Sequence, residues 1–197
     1  VEEVPEFAEE ARRLAVFSDL AHLVDFLEGP PDALPFDEGF FDLALRLGPA
    51  HPFGALEAAR DLGRFVRPWG WMILGALVWR EGGREKAGPA LRAWLEGFAP
   101  ARLREAEELR RAFGAEGLRV EEIRTEPDAS WEAFLAPQAR VVLENRREQP
   151  LAPEAKGVLG RWQEELFHTG GGREALAYVA FLLRLPDRGE TPAGGIR

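Results

Sequence analysis

The sequence predicts an α/β domain built on a mostly parallel, doubly wound sheet. Three observations carry that prediction. Segments that read as strands alternate with amphipathic helical segments as far as Glu126, the pattern of βαβ units. One segment, WGWMILGALVW at Trp69–Trp79, is nearly all apolar, as a strand covered on both faces must be. The chain has 197 residues and 46% hydrophobic composition, enough for one domain with a full core.

PEFAEEARRLAVF (Pro5–Phe17) places Phe7, Ala8, Ala11, Leu14 and Ala15 at helical spacing, with Pro5 suited to a first turn. Ser18 and Asp19 end it. AHLVDFLE (Ala21–Glu28) reads as a short strand, and GPPDALPFDEG as a loop rich in breakers. FFDLALRLG (Phe40–Gly48) is a strand with Leu43, Leu45 and Leu47 on one face, followed by the loop GPAHPFG. ALEAARDLGRFV (Ala55–Val66) is an amphipathic helix stopped by Pro68, and Trp69–Trp79 is the buried strand.

REGGREKAGP reads as an exposed connector and PALRAWLEGF as a short helix. Ala101–Gly117 is a helix with Gly114 and Gly117 about its C-terminus. Leu118–Glu126 is a strand with the polar face of a sheet edge. Ser130–Glu148, interrupted by Pro137, and Pro153–Gly170 are helical; TGGG, with Gly170–Gly172, is a turn; LAYVAFLLRLP (Leu176–Pro186) is the last strand. The α/β domain therefore spans 1–126 and 171–186. Residues 127–170 form a helical insertion and candidate lid, and 187–197 a flexible tail.

Cysteine is absent, which excludes disulfides, thiolate zinc sites and cysteine nucleophiles. The net charge of −9 counts against nucleic acid as a partner. No apolar run is long enough to cross a bilayer and no leader-like pattern opens the sequence, so no membrane partner and a cytoplasmic location are expected. Lys86 and Lys156, Met72 and Asn145 are the only residues of their types. That scarcity fits a thermophile, although a GC-rich genome produces a similar bias.

The segments VEEVPEFAEEARRLA, FLEGPPDALPF, GFFDLALRLG, EAARDLGRFVRPWGWMILG, GAEGLRVEEI and YVAFLLRLP occur in a telling order. LPF-x-x-x-x-FD-L followed by V-R-P-x-G is the most specific part. From Val1 to Pro186 the chain resembles class I S-adenosylmethionine-dependent methyltransferases of the small-molecule type. The resemblance implies a Rossmann-like sheet with strand order 3-2-1-4-5-7-6, the last strand antiparallel. Ala21–Glu28, Phe40–Gly48, Trp69–Trp79, Leu118–Glu126 and Leu176–Pro186 would be strands three to seven, and Val1–Glu2 the tail of strand two. Strand one and its glycine-rich loop have no counterpart in this sequence. About 40–60 residues, one to two βα units, are expected upstream of Val1.

The resemblance also implies a cofactor, S-adenosylmethionine, a small-molecule substrate and a set of site residues. Glu2 stands where an acid accepts both ribose hydroxyls. Glu3 takes that place if the register slips, and a surface acid at a frayed terminus is the plain alternative. Where the family commonly reads G-D-A to hold adenine, this chain has Gly29–Pro31. Pro30 offers no carboxylate and Pro31 no N–H; Asp32 and Ala33 are the nearest replacements. Arg46, Leu47 and Gly48 would face the methionine part of the cofactor, with Gly48 permitting close approach. His51 would line the methyl-transfer crevice, where it could serve as a general base, or be a loop histidine without chemistry. His22 and His168 read as structural. No histidine pair has metal-ligand spacing, so no metal is expected. Trp131, Phe134, Arg140, Arg147 and Trp162 lie on the insertion.

Two other readings stay open. One is a non-catalytic member of the same fold, a binding or scaffold protein, favoured by the double proline. The other is a methyltransferase acting on protein or RNA, against which the net charge speaks. The missing N-P-P-Y motif argues against adenine and amide N-methylation. Oligomeric state is not legible.

Overall fold

The computed structural model describes residues 1–2, 5–29, 34–47, 54–98, 103–130, 133, 136, 140, 172 and 174–187. The alternating pattern of the sequence becomes four strands: β1 (Phe41–Arg46), β2 (Val66–Trp79), β3 (Arg119–Thr125) and β4 (Leu176–Arg184). The helices are α1 (Pro5–Phe17), α2 (Ala55–Gly63), α3 (Gly83–Lys86), α4 (Pro89–Phe98) and α5 (Ala106–Ala115).

The sheet order is β1-β2-β4-β3. β1 runs parallel to β2, with Ala44 opposite Met72 and Arg46 opposite Leu74. β4 is antiparallel to both β2 and β3. This is the 4-5-7-6 part of the predicted order, with the last strand reversed as predicted.

Period-two alternation divides the sheet into two apolar faces. Met72, Leu74, Ala76 and Val78 of β2 join Ala177, Val179, Phe181 and Leu183 of β4 on one face. Ala55 and Ala59 of α2 and Leu109 and Phe113 of α5 close over them. Phe113 meets Phe181 edge-on, with ring centroids 5.2 Å apart, the favoured aromatic geometry. On the other face Leu77, Trp79 and Leu176 pack against Ala87 and against Leu91 and Leu95 of α4. The C-terminal half of β2 is thus covered twice, which is why its sequence is apolar without alternation.

Several boundaries differ from the sequence reading. Ala21–Glu28 makes no strand: residues 21–23 turn, and only Glu28 pairs, in an isolated parallel bridge to Glu2. A strand needs a ladder partner, and its local pattern cannot supply one. α2 ends at Gly63, and β2 begins at Val66, so Pro68 lies inside the strand. It sits where the register slips between Phe41/Val66 and Leu43/Trp71, an irregularity that tolerates a residue without an N–H. Trp69 beside it adopts φ 61°, the left-handed region that ordinarily favours glycine.

α5 starts at Ala106, not Ala101, because Glu105 and Glu108 form a capping box there. Gly83–Lys86, expected as plain connector, makes the single turn α3. A Cβ on Gly83 would collide with the Ala175 carbonyl oxygen, which explains the glycine. The predicted turn before the last strand is present: the Gly172 carbonyl accepts from the Ala175 and Leu176 amides at 2.8 and 2.7 Å. Residues 128–130, 133, 136 and 140 are helical, as the insertion was expected to be. Its remainder, with Trp131, Phe134, Arg147, Trp162 and His168, lies outside the described residues.

Candidate functional site

In open α/β sheets ligands lie beyond the carboxyl ends of parallel strands. Two such ends are described. The first belongs to β1, where Arg46 is the last ladder residue and Leu47 follows it. Arg46 is half-buried and shares the face of Ala44, the α2–α5 side of the sheet. Leu47 is exposed. Gly48 lies outside the described residues, as does His51.

The second end is built by the two segments around α1. The Glu2 amide donates to the Leu27 carbonyl at 2.9 Å, and the Gly29 amide donates to the Glu2 carbonyl at 3.1 Å. These bonds make the parallel Glu2–Glu28 bridge, which belongs to none of the four strands. In sequence Glu2 precedes α1, and Glu28 precedes the GPPDA segment, whose Pro30–Ala33 lie outside the described residues. Half-buried Glu2 is therefore fastened by its backbone on either side of Glu28. Arg12 of α1 holds the pair from the side: one guanidinium nitrogen donates to Glu28 at 2.7 Å and the other to the Phe26 carbonyl at 3.3 Å. Asp32 and Ala33 lie outside the described residues.

Apolar surface is exposed on both β1 and α1. Leu43, Leu45 and Leu47 of the β1 edge are 48%, 56% and 62% exposed. Phe7, Leu14 and Phe17 of α1 are exposed as well. Among the described residues β1 is an edge strand, and its Leu43, Leu45 and Leu47 face is uncovered.

Two features of this region were not read from the sequence. The Arg80 guanidinium at the end of β2 donates to the Leu176 carbonyl and pairs with Asp128, both at 2.8 Å. It thereby ties the end of β2 to the start of the insertion. The phenol of Tyr178, on β4, lies across Gly75 of β2. The only signal in the sequence was a glycine within an apolar strand, a mark of close approach by another group. Among the described residues no cluster of acids and histidines could hold a metal ion.

Solved structures with this arrangement are numerous. YjhP from E. coli matches with a TM-score of 0.71 at 20% identity, over 94% of this chain and 74% of its own. A SAM-dependent methyltransferase from Geobacter sulfurreducens, solved with S-adenosyl-L-homocysteine, matches at 0.67 and 21% identity, over 90% and 70%. The fold is that of the class I S-adenosylmethionine-dependent methyltransferases. The [4+2]-cyclase SpnF shares it, at a TM-score of 0.62 and 20% identity over 91% of this chain and 62% of its own. The methyltransferase fold alone therefore does not name a reaction. No family model matches the sequence. No curated protein matches it either.

Proposed function

We propose that this chain transfers a methyl group from S-adenosylmethionine to a small-molecule acceptor. The observation that carries the reading is Glu2, an acid whose backbone is fixed in a parallel bridge by two bonds, to Leu27 and Gly29. A ribose with two vicinal hydroxyls suits an acid so placed. The methyl of S-adenosylmethionine is already activated by its sulfonium, so the protein has to align partners and exclude water.

In this reading Glu2 accepts the ribose hydroxyls, Asp32 and Ala33 serve adenine, and Arg46–Gly48 lie along the methionine end. His51 is the candidate base for the acceptor's proton. Arg80 pairs with Asp128 and so joins the end of β2 to the start of the 127–170 segment. The space beside the β1 edge is assigned to further parallel strands. The edge position of β1 among the described residues supports that assignment, as does the unmatched quarter to third of the YjhP and Geobacter chains.

Calorimetric titration with S-adenosylhomocysteine tests the reading. Micromolar binding is expected, and absence of binding at millimolar ligand refutes it. Glu2→Gln should weaken binding roughly 10- to 100-fold, because a hydrogen bond to a charged group contributes about 1.5–3 kcal/mol. Binding without turnover on any panel of hydroxyl, amine and thiol acceptors would favour the non-catalytic reading that Pro30 and Pro31 suggest.

A further inference from the structure

Among the described residues β3 is the edge of the sheet opposite β1. Strands added beside β1 would leave it an edge. The Glu126 amide donates to the Tyr178 carbonyl at 2.9 Å, one step along the ladder from Thr125 opposite Val179. Pairs that exchange hydrogen bonds alternate with pairs that do not along an antiparallel ladder. Glu126, Arg124 and Glu122 therefore turn their N–H and C=O groups toward β4, and Thr125 and Ile123 turn theirs outward. Among the described residues no backbone hydrogen bond outside the ladder uses those outward groups. Such a row is a template for another strand.

Edges are often blunted by charge, but the charges here have both signs. Glu122 and Arg124 are exposed and lie on the face of Leu182 and Ala180. Ile123 between them is half-buried, opposite Phe181 and against the α2–α5 core. A second copy related by a twofold axis normal to the sheet runs antiparallel, and each side chain keeps to its own face. If the axis passes at Ile123, Glu122 of each copy meets Arg124 of the other. An axis at Glu122 sets Glu122 on Glu122. An axis at Arg124 sets Arg124 on Arg124 and Glu122 on Glu126. An axis at Thr125 brings Ile123 against Pro127, which has no N–H, and Glu122 against Asp128. Like charges directly opposed are destabilising, so one register is favoured.

We propose that two copies of this chain pair through β3, Ile123 against Ile123, with Glu122 of each copy against Arg124 of the other. The two sheets then run into one, and the half-buried Ile123 gains an apolar neighbour. The register shift between Val120 and Glu122 ends the regular edge on one side and Pro127 ends it on the other. The contact is therefore short and the dimer weak and reversible. The pairing does not depend on which reaction the fold carries.

Sedimentation velocity from about 10 to 500 µM suits a contact smaller than a stable interface. The expected result is a dimer whose share grows with concentration. Glu122→Arg and Arg124→Glu change exposed side chains, which the fold tolerates. Each should weaken the dimer roughly tenfold, because each sets like charges opposite one another at two places. An equimolar mixture of the two variants should regain the association of the wild type, since every arginine then meets a glutamate of the other chain. A monomer over the whole range overturns the proposal. Association that Glu122→Arg leaves unchanged overturns it too, and places the contact elsewhere, such as the exposed leucines of β1. A mixture no tighter than the single variants overturns the register.

Discussion

Gly75→Ala is the sharpest test of how β2 and β4 pack. In a strand interior, replacing glycine by alanine ordinarily stabilises by about 0.5–1 kcal/mol, since glycine loses more backbone freedom on folding. Here the new methyl would overlap the Tyr178 phenol oxygen and approach Cζ and Cε1 to 2.6 and 3.2 Å. Gly75 is buried, between strands paired on both sides, so the ring has to move and not the backbone. Overpacking of this kind costs about 1–3 kcal/mol. The net change is a loss of about 1–2 kcal/mol, or roughly 2–8 °C in Tm for a chain of this size. In a Tyr178→Ala background the obstacle is gone, and Gly75→Ala becomes neutral or favourable. Thermal and urea unfolding of the four proteins would give a coupling of about 2 kcal/mol. A rise in Tm for Gly75→Ala alone, or additivity within about 0.5 kcal/mol, refutes the reasoning.

Phe113→Ala should cost about 3–5 kcal/mol, because Phe113 is fully buried against Phe181; a loss under 1 kcal/mol by urea unfolding would contradict the α5 packing. Glu108→Ala should remove about 1 kcal/mol, an N-terminal cap's usual contribution, by taking the carboxylate from the Glu105 amide at 2.9 Å. That amide, and then the Arg84, Arg104 and Arg111 charges, hold the Glu108 pKa below its ordinary 4.5. A depressed pKa stabilises the fold above the ordinary carboxylate value and loses that contribution as pH falls through the folded value. The Tm difference between wild type and Glu108→Ala should therefore be full at neutral pH and shrink in acid; a difference that grows in acid has the wrong sign. Leu45→Lys should change the stability of the 197-residue chain by less than about 0.5 kcal/mol, as at other exposed positions, and reduce self-association in sedimentation. In a chain extended upstream of Val1 the same change should be clearly destabilising, and equal effects in both would remove the case for strands beside β1.

The sequence was informative wherever a local signal suffices. The helical stripe of PEFAEEARRLAVF produced α1 with both ends as read. The apolar run of β2 announced a strand covered on two faces, and the order of segments determined the strand order and the reversed β4. The breaker-rich segments around Gly29 and Gly172 were legible as loop and turn because glycine and proline act on their own backbone. Glu2 could be proposed as a site residue from its place in that order, and the structure ties its backbone to Leu27 and Gly29.

What depends on partners distant in sequence was decided only by the tertiary structure. Ala21–Glu28 has a strand-like composition but no ladder, since backbone pairing is a property of two segments. Pro68 reads as a stop, yet it is accommodated inside β2 because the pairing with β1 slips at that point. Leu43, Leu45 and Leu47 alternate as a buried face should, yet the folded chain leaves that face exposed. Tyr178 and Gly75 make contact because β4 lies antiparallel beside β2. Hydrophobic period and turn chemistry are written residue by residue, so the sequence alone determined the elements and their order. The crevice is formed by what lies beside each strand, and that only the folded chain could decide.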